Sequence, residues 1–378
     1  MAQPDQTQAQ QRPSEPRRLG LAARAGILLA TLGIFVVGGA WLLHASIDPL
    51  EERDAGHVPA VRSEAVSEIK SWGYQLQGLQ LGEAAQSPHD LLVVDEQLAG
   101  SGPGQRGLAL SALKRKPDGS RRLLLAYLSI GEAESYRGYW QKAWTQAAAE
   151  PGSSEPRAEI VPIGGTRALT APPRDDAAKR WPMQSPTAAA PAWLGQENPQ
   201  WRGNFVVRFW DPGWRAILSG SSTAVIDRLI AAGFDGVYLD RADVYTQWTG
   251  ERPQARADMI ELVKHLSTYA KAKNPDFLVA LQNAEELLGN RQLRRALDLV
   301  AKEDLYYGIA ADGQPNAERD VKASLAQLKL AQAEGLPVLV VEYLDRGPAV
   351  ETARKALEAQ GFIGYFAPRE LDTLRTGP

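Results

Sequence analysis

Residues 222–243 read STAVIDRLIAAGFDGVYLDRAD. Val225, Ile226, Leu229 and Ile230 recur at helical spacing, and Gly233 follows as a stop signal. Phe234 to Asp240 is then a nearly unbroken apolar run that ends in a carboxylate. A strand apolar on both sides must be buried on both faces, which calls for a parallel sheet covered by helices. Outward from this unit the same grammar recurs. Strand-like runs occur at Trp72 to Gln77, Leu91 to Asp95, Leu123 to Ile130, Phe234 to Asp240, Phe277 to Asn283, Leu299 to Glu303, Val338 to Tyr343 and Phe362 to Ala367. Helix-period stretches at Ser222 to Ala232, Ala255 to Ala272, Ala317 to Glu334 and Ala349 to Gln360 alternate with them, with Gly or Asn-Pro just beyond. The expected fold is therefore α/β, a TIM (β/α)8 barrel. A doubly wound open sheet is the structural alternative, but no glycine-rich phosphate loop follows the first strand.

The chain of 378 residues leaves room for additions to such a barrel. Residues 1–24 open with a tail rich in Gln, Pro and Arg, with too little apolar surface to offset the entropy of ordering. Residues 25–43, AGILLATLGIFVVGGAWLL, carry no charge, and a helix of them roughly matches a bilayer core. This N-terminal transmembrane helix is expected to contact the lipid bilayer. Arg17, Arg18 and Arg24 precede it while Asp48, Glu51 and Glu52 follow, so the tail is expected in the cytoplasm and the remainder outside, periplasmic or extracellular. A signal peptide cleaved near Gly38 and Ala40, releasing a secreted protein, is the alternative, for which the apolar run is long. Residues 44–70 read as a linker and 71–378 as the barrel. Within the barrel, 147–191 is a Pro/Ala-rich surface insertion, and Phe205 to Trp210 belongs to the connection between the third and fourth strands.

Composition excludes several function classes. With 42 Lys plus Arg against 45 Asp plus Glu, no broad basic field exists, and nucleic acid is not an expected partner. There is no cysteine to act as nucleophile or metal ligand. The four histidines, His44, His57, His89 and His265, avoid the strand ends, which disfavours histidine-centred catalysis and zinc hydrolysis. Neither a calcium loop nor a phosphate loop is present, so no metal is expected.

In a barrel, the C-terminal ends of the strands converge on one face, where chemistry is placed. Those ends carry Asp95, Glu132 with Glu134, Asp240 with Asp243, Asn283 with Glu285, Glu303 and Glu342. One carboxylate at a strand end is ordinary polar exit from a core; recurrence on most strands is not. Chemistry needing two carboxylates, one protonated and one ionised, is above all glycoside hydrolysis. Aromatic residues at or after the strands, among them Tyr74, Tyr127, Tyr136, Tyr343 and Tyr365, offer rings for stacking on sugars or, equally, for packing the barrel. Tyr139, Trp140, Trp210 and Trp214 are the preferred stacking candidates because they occupy loops; Asp211 lies among them in WDPGW.

YLSIGEAESYRGYW, NFVVRFWDPGW, GFDGVYLDRADVY, LQNAEELL, AKEDLYYG, VEYLD and GFIGYFAPRELD together resemble the endo-α-1,4-polygalactosaminidase family of glycoside hydrolases, family 114. The resemblance spans roughly Trp72 to Leu371 and includes WGYQLQG and LLVVD. It implies a TIM barrel and an exported enzyme, related to the hydrolase domain of the bacterial Pel polysaccharide machinery, that cleaves an amino-sugar polysaccharide without a cofactor. The family's catalytic aspartate and glutamate match Asp240 and Glu303, taken as nucleophile or base and as general acid respectively. Arg241 follows the aspartate where many relatives have Asn. A cation there would repel deacetylated galactosamine and favour a neutral or N-acetylated sugar, unless Arg241 turns outward into an ion pair. The remaining readings are a non-catalytic glycan-binding envelope protein on the same fold and a hydrolase of another α-linked glycan.

The anchor makes a direct prediction. After a carbonate wash the full-length chain stays with the membrane fraction; a shortened, wholly soluble product would contradict the anchor.

Overall fold

The computed structural model describes residues 64–97, 103–147 and 183–376. The expected tail and transmembrane helix lie outside them, as do most of the linker and residues 148–182 of the insertion. Among the described residues no helix is long and apolar enough to cross a membrane. Their strands are β1 (Trp72–Gln75), β2 (Leu91–Asp95), β3 (Leu123–Ser129), β4 (Glu132–Glu134), β5 (Thr145–Ala147), β6 (Gln184–Pro186), β7 (Leu194–Glu197), β8 (Asn204–Val207), β9 (Gly236–Asp240), β10 (Leu278–Gln282), β11 (Leu299–Glu303), β12 (Val338–Glu342) and β13 (Ile363–Phe366).

The eight anticipated barrel strands form one parallel sheet in the order β1-β2-β3-β9-β10-β11-β12-β13. The first strand is joined to the last at one end and to the segment that follows it at the other. Trp72 Nε1 donates to the Ile363 carbonyl at 3.0 Å, and the N–H groups of Leu76 and Gln77 donate to Leu371 O at 2.9 and 3.1 Å. Side chains alternate between two cores. Trp72, Tyr74, Val93, Leu125, Tyr238 and Val341 fill the barrel interior, while Val94, Leu124, Leu239, Leu281 and Val340 pack outward under the helices. In the interior Tyr74 and Tyr238 lie 5.1 Å apart, centroid to centroid, and both stack on Trp72.

The linker expected through residue 70 ends earlier. Val66 and Ile69, one helical turn apart, are buried in the barrel interior cluster. Their apolar surface covers the N-terminal end of the strands, where Leu91 and Leu123 begin.

Between β3 and β9 the chain makes its long excursion. An antiparallel sheet of β4, β8 and β7 stands beside the C-terminal end of the barrel, so Phe205 to Trp210 lies in this connection as anticipated. The flanks of the insertion meet as the antiparallel pair β5 and β6.

The unit quoted first folds as its sequence reads. Val225–Ala232 is a helix, Gly233 takes φ 94° as its left-handed cap, and β9 follows. Gly236 opens β9 because nothing larger fits: a Cβ there would stand 2.3 Å from the Leu278 carbonyl oxygen and 2.7 Å from Leu278 Cβ. Gly236→Ala therefore pushes apart β9 and β10 directly beneath the site. It should cost about 1–3 kcal/mol of overpacking, read as a lower denaturation midpoint; an unchanged midpoint would contradict the close approach.

Candidate active site

Strand alternation aims the decisive side chains. Asp240 shares the inward face of Tyr238, and Glu303 shares that of Ala301, so both enter the C-terminal mouth of the barrel from strands separated only by β10. Asp240 is buried, 9% exposed. Its Oδ2 accepts from Tyr127 OH at 2.6 Å and its Oδ1 from the Arg241 N–H at 2.6 Å. Burial first, and then the negative charge of Glu303, push the Asp240 carboxyl up to about 8. Glu303 is half-buried; its Oε2 accepts from Asn283 Nδ2 at 2.9 Å and its Oε1 from Tyr343 OH.

The backbone turns sharply at these strand ends. Arg241, Asn283, Ala284 and Asp304 have φ of 63°, 54°, 48° and 54°, directly after β9, β10 and β11. Such conformations cost of order 1–3 kcal/mol each and persist where surrounding contacts over-determine them. Gly131 is one such contact: a Cβ there would stand 2.1 Å from the Arg241 carbonyl oxygen.

Behind Glu303, Lys302 points to the outer face and is 2% exposed. Its Nζ lies 3.5 Å from Glu285 and donates to Asn283 Oδ1 at 3.4 Å. Asn283 Oδ1 also accepts the Glu303 N–H at 3.1 Å. With two donors aimed at its oxygen, the Asn283 amide has its NH2 fixed toward Glu303.

Two buried arginines and a partly buried one brace the mouth. Arg137 forks onto Asp95 at 2.9 and 2.7 Å and reaches Glu134 at 2.7 Å. Arg369 forks onto Asp304 at 2.7 and 2.9 Å, touches Asp312, and lies 4.2 Å over the Tyr343 ring that holds Glu303. Arg241 pairs with Glu132 at 2.6 Å and approaches Asp243 at 3.8 Å. Its guanidinium is neither turned outward nor free, because two carboxylates neutralise it within the protein; the expected repulsion of a cationic sugar loses its basis.

Other anticipated site residues have structural duties. Glu342 shares the outward face of Val340, is fully buried, and accepts the N–H groups of Tyr306 and Tyr307 at 2.8 and 3.2 Å. Burial pushes its carboxyl up to about 8. Tyr74 lies inside the barrel with its hydroxyl on Gln282, and Tyr365 is buried, accepting the Arg375 N–H. Asp211 caps the helix Pro212–Leu218 by accepting from Gly213 N at 2.7 Å. Trp214 has no exposed surface and donates to Ile130 O, so it presents no ring face to a sugar. Trp140 packs on Trp144 and Phe205, and Trp210 packs edge-on against Phe209 and Trp248. Tyr139 meets Trp214 edge to face and accepts the Glu134 N–H; with Ser129, Glu134, Arg137 and Trp214 it lines a small cavity beside Tyr127.

Residues absent from the strand-end reading are Lys302, Arg137 and Arg369. A lysine between Ala301 and Glu303 in an otherwise apolar strand is a readable sign of a buried cation; nothing local marks the arginines. Among the described residues no group of three or more His, Asp and Glu is arranged to hold a metal ion.

Comparison with known proteins gives a consistent result. The sequence profile of glycoside-hydrolase family GH114 matches residues 175–377. An uncharacterized protein of Deinococcus radiodurans is 34% identical over 84% of this chain and 86% of its own length. One from Methanocaldococcus jannaschii is 30% identical over 81% of this chain and 78% of its own. Among solved structures, the glycoside hydrolase domain of PelA from Pseudomonas aeruginosa superposes with a TM-score of 0.50 at 18% identity, covering 82% of this chain and 98% of that domain, a likeness of fold.

The Lys302 contact predicts a positioning role. Lys302→Met combined with Glu285→Gln, which removes both buried charges together, should lower kcat about tenfold with KM little changed, because Asn283 no longer holds Glu303 in line. A change in KM alone, or none in kcat, would contradict it.

Proposed function

The chain belongs to glycoside-hydrolase family GH114, and on that premise we propose that it cleaves an α-1,4-linked galactosamine or N-acetylgalactosamine polysaccharide outside the cytoplasm, held to the membrane by residues 25–43. The observation carrying the proposal is that Asp240 and Glu303 end strands β9 and β11 on the inward face of one barrel mouth, where the Glu303 charge helps to push the Asp240 carboxyl up. Hydrolysis by two carboxylates needs one proton between them, to be given to the departing glycosidic oxygen, and one negative charge for the anomeric carbon or for water. In the free site the proton rests on Asp240. In cleavage one carboxyl gives its proton to the departing oxygen while the other, ionised, attacks the anomeric carbon or activates water; the resemblance assigns the first part to Glu303 and the second to Asp240.

The charge of the mouth supports an amino sugar. Arg137 meets three carboxylates, and Arg241 and Arg369 two each, so guanidinium groups are outnumbered around the pair. This supports a deacetylated, cationic unit as well as a neutral one.

Release of reducing ends from acetylated and deacetylated α-1,4-galactosamine polymers by the full-length protein tests the proposal. Asp240→Asn and Glu303→Gln should each reduce turnover at least about a hundredfold, and wild-type turnover should fall above pH 8 as the pair loses its last proton. Binding without wild-type turnover would instead support a non-catalytic glycan-binding protein, and turnover confined to other polymers in a glycan panel would support a different α-linked substrate.

A further inference from the structure

Among the described residues, the large apolar side chains left substantially exposed are Leu108, Tyr136, Trp201 and Leu330. The two leucines lie apart, on the helices Pro103–Leu113 and Glu318–Ala333, as scattered surface residues do. The two aromatics, 65 residues apart in sequence, lie on backbone segments that meet. Tyr136 follows Ser135, whose N–H donates to Gly203 O at 2.7 Å, and Trp201 lies two residues before Gly203 in the tight turn joining β7 to β8. Both therefore stand on the lip formed by the antiparallel sheet.

That lip is built into the site. Tyr136 OH donates to Glu134, and the Arg137 guanidinium lies 4.9 Å from its ring centroid, fixing the ring and covering one face. Since Tyr136 is 55% exposed, its other face is open to solvent. The turn bearing Trp201, which is 49% exposed, is tied down by Asn198 Nδ2 donating to Glu132 at 2.8 Å. Glu132 in turn holds Arg241, whose N–H bonds Asp240. Two exposed aromatic rings beside an acidic mouth, one of them held in place, suit the apolar face of a pyranose carrying positive charge.

We propose that Tyr136 and Trp201 form an outer subsite that stacks on a sugar unit of the polymer beyond the units being cleaved. This rests on the glycan reading above. It makes affinity grow with chain length and favours attack within a polymer.

The test uses the full-length protein in detergent with Glu303→Gln to prevent cleavage. The Kd of deacetylated α-1,4-galactosamine oligomers of two to eight units is measured by calorimetry. Affinity should rise with length, and adding Trp201→Ala or Tyr136→Ala should flatten that rise, weakening the octamer at least about fivefold. An octamer bound equally well with and without both rings, or no oligomer bound by any version, overturns the subsite. Turnover is scored separately on the wild type. Length-dependent binding lost with the rings, but no wild-type turnover, upholds the subsite and removes the hydrolase mechanism.

Discussion

The repulsion between two carboxylates in a poorly solvated mouth organises this site. Asp240 and Glu303 project inward from neighbouring regions of one sheet, and burial denies the Asp240 charge full hydration. The protein meets that cost with donors, Tyr127 and the Arg241 N–H for one acid and Asn283 and Tyr343 for the other. Donors hold the oxygens in place without adding a cation that would fully cancel the coupling. The pair keeps a proton where an isolated aspartate would have lost it, which is the state acid-assisted cleavage requires.

The surrounding ion pairs serve geometry more than stability. A buried salt bridge repays its desolvation poorly, but an arginine shared between two elements fixes their relative position. Arg137 ties the end of β2 to β4, Arg241 ties the end of β9 to β4, and Arg369 ties the segment after β13 to the turn after β11. Together with the left-handed residues after β9, β10 and β11, they hold a strained rim on a well-packed barrel. The rim can thus carry conformations the core would reject.

Much of this was legible in the residues. Eight apolar runs marked the eight barrel strands to within two residues, because both faces of each are buried and the sequence shows it. The same property hid the direction of the side chains. In VLVVE both alternate sets are apolar, so nothing showed that Glu342 shares the outward face of Val340 while Tyr343 turns in toward Glu303. Asp240 and Glu303 were found at strand ends, and the family resemblance singled them out. The loop tryptophans could not be assigned by composition, since an aromatic in a loop can face a sugar or build the small core around Trp144, Trp193 and Trp214. Arginine bridges spanning 42, 109 and 65 residues have no local signature at all.

The coupling of the two acids is most directly tested by following the Asp240 carboxyl through a pH titration, by carbon-13 NMR of the full-length protein, with and without Glu303→Gln. The account predicts a wild-type midpoint near 8 that moves down when the Glu303 charge is removed, though not to the solvent-exposed value, because burial remains. An Asp240 midpoint in the ordinary aspartate range, unmoved by Glu303→Gln, would contradict it.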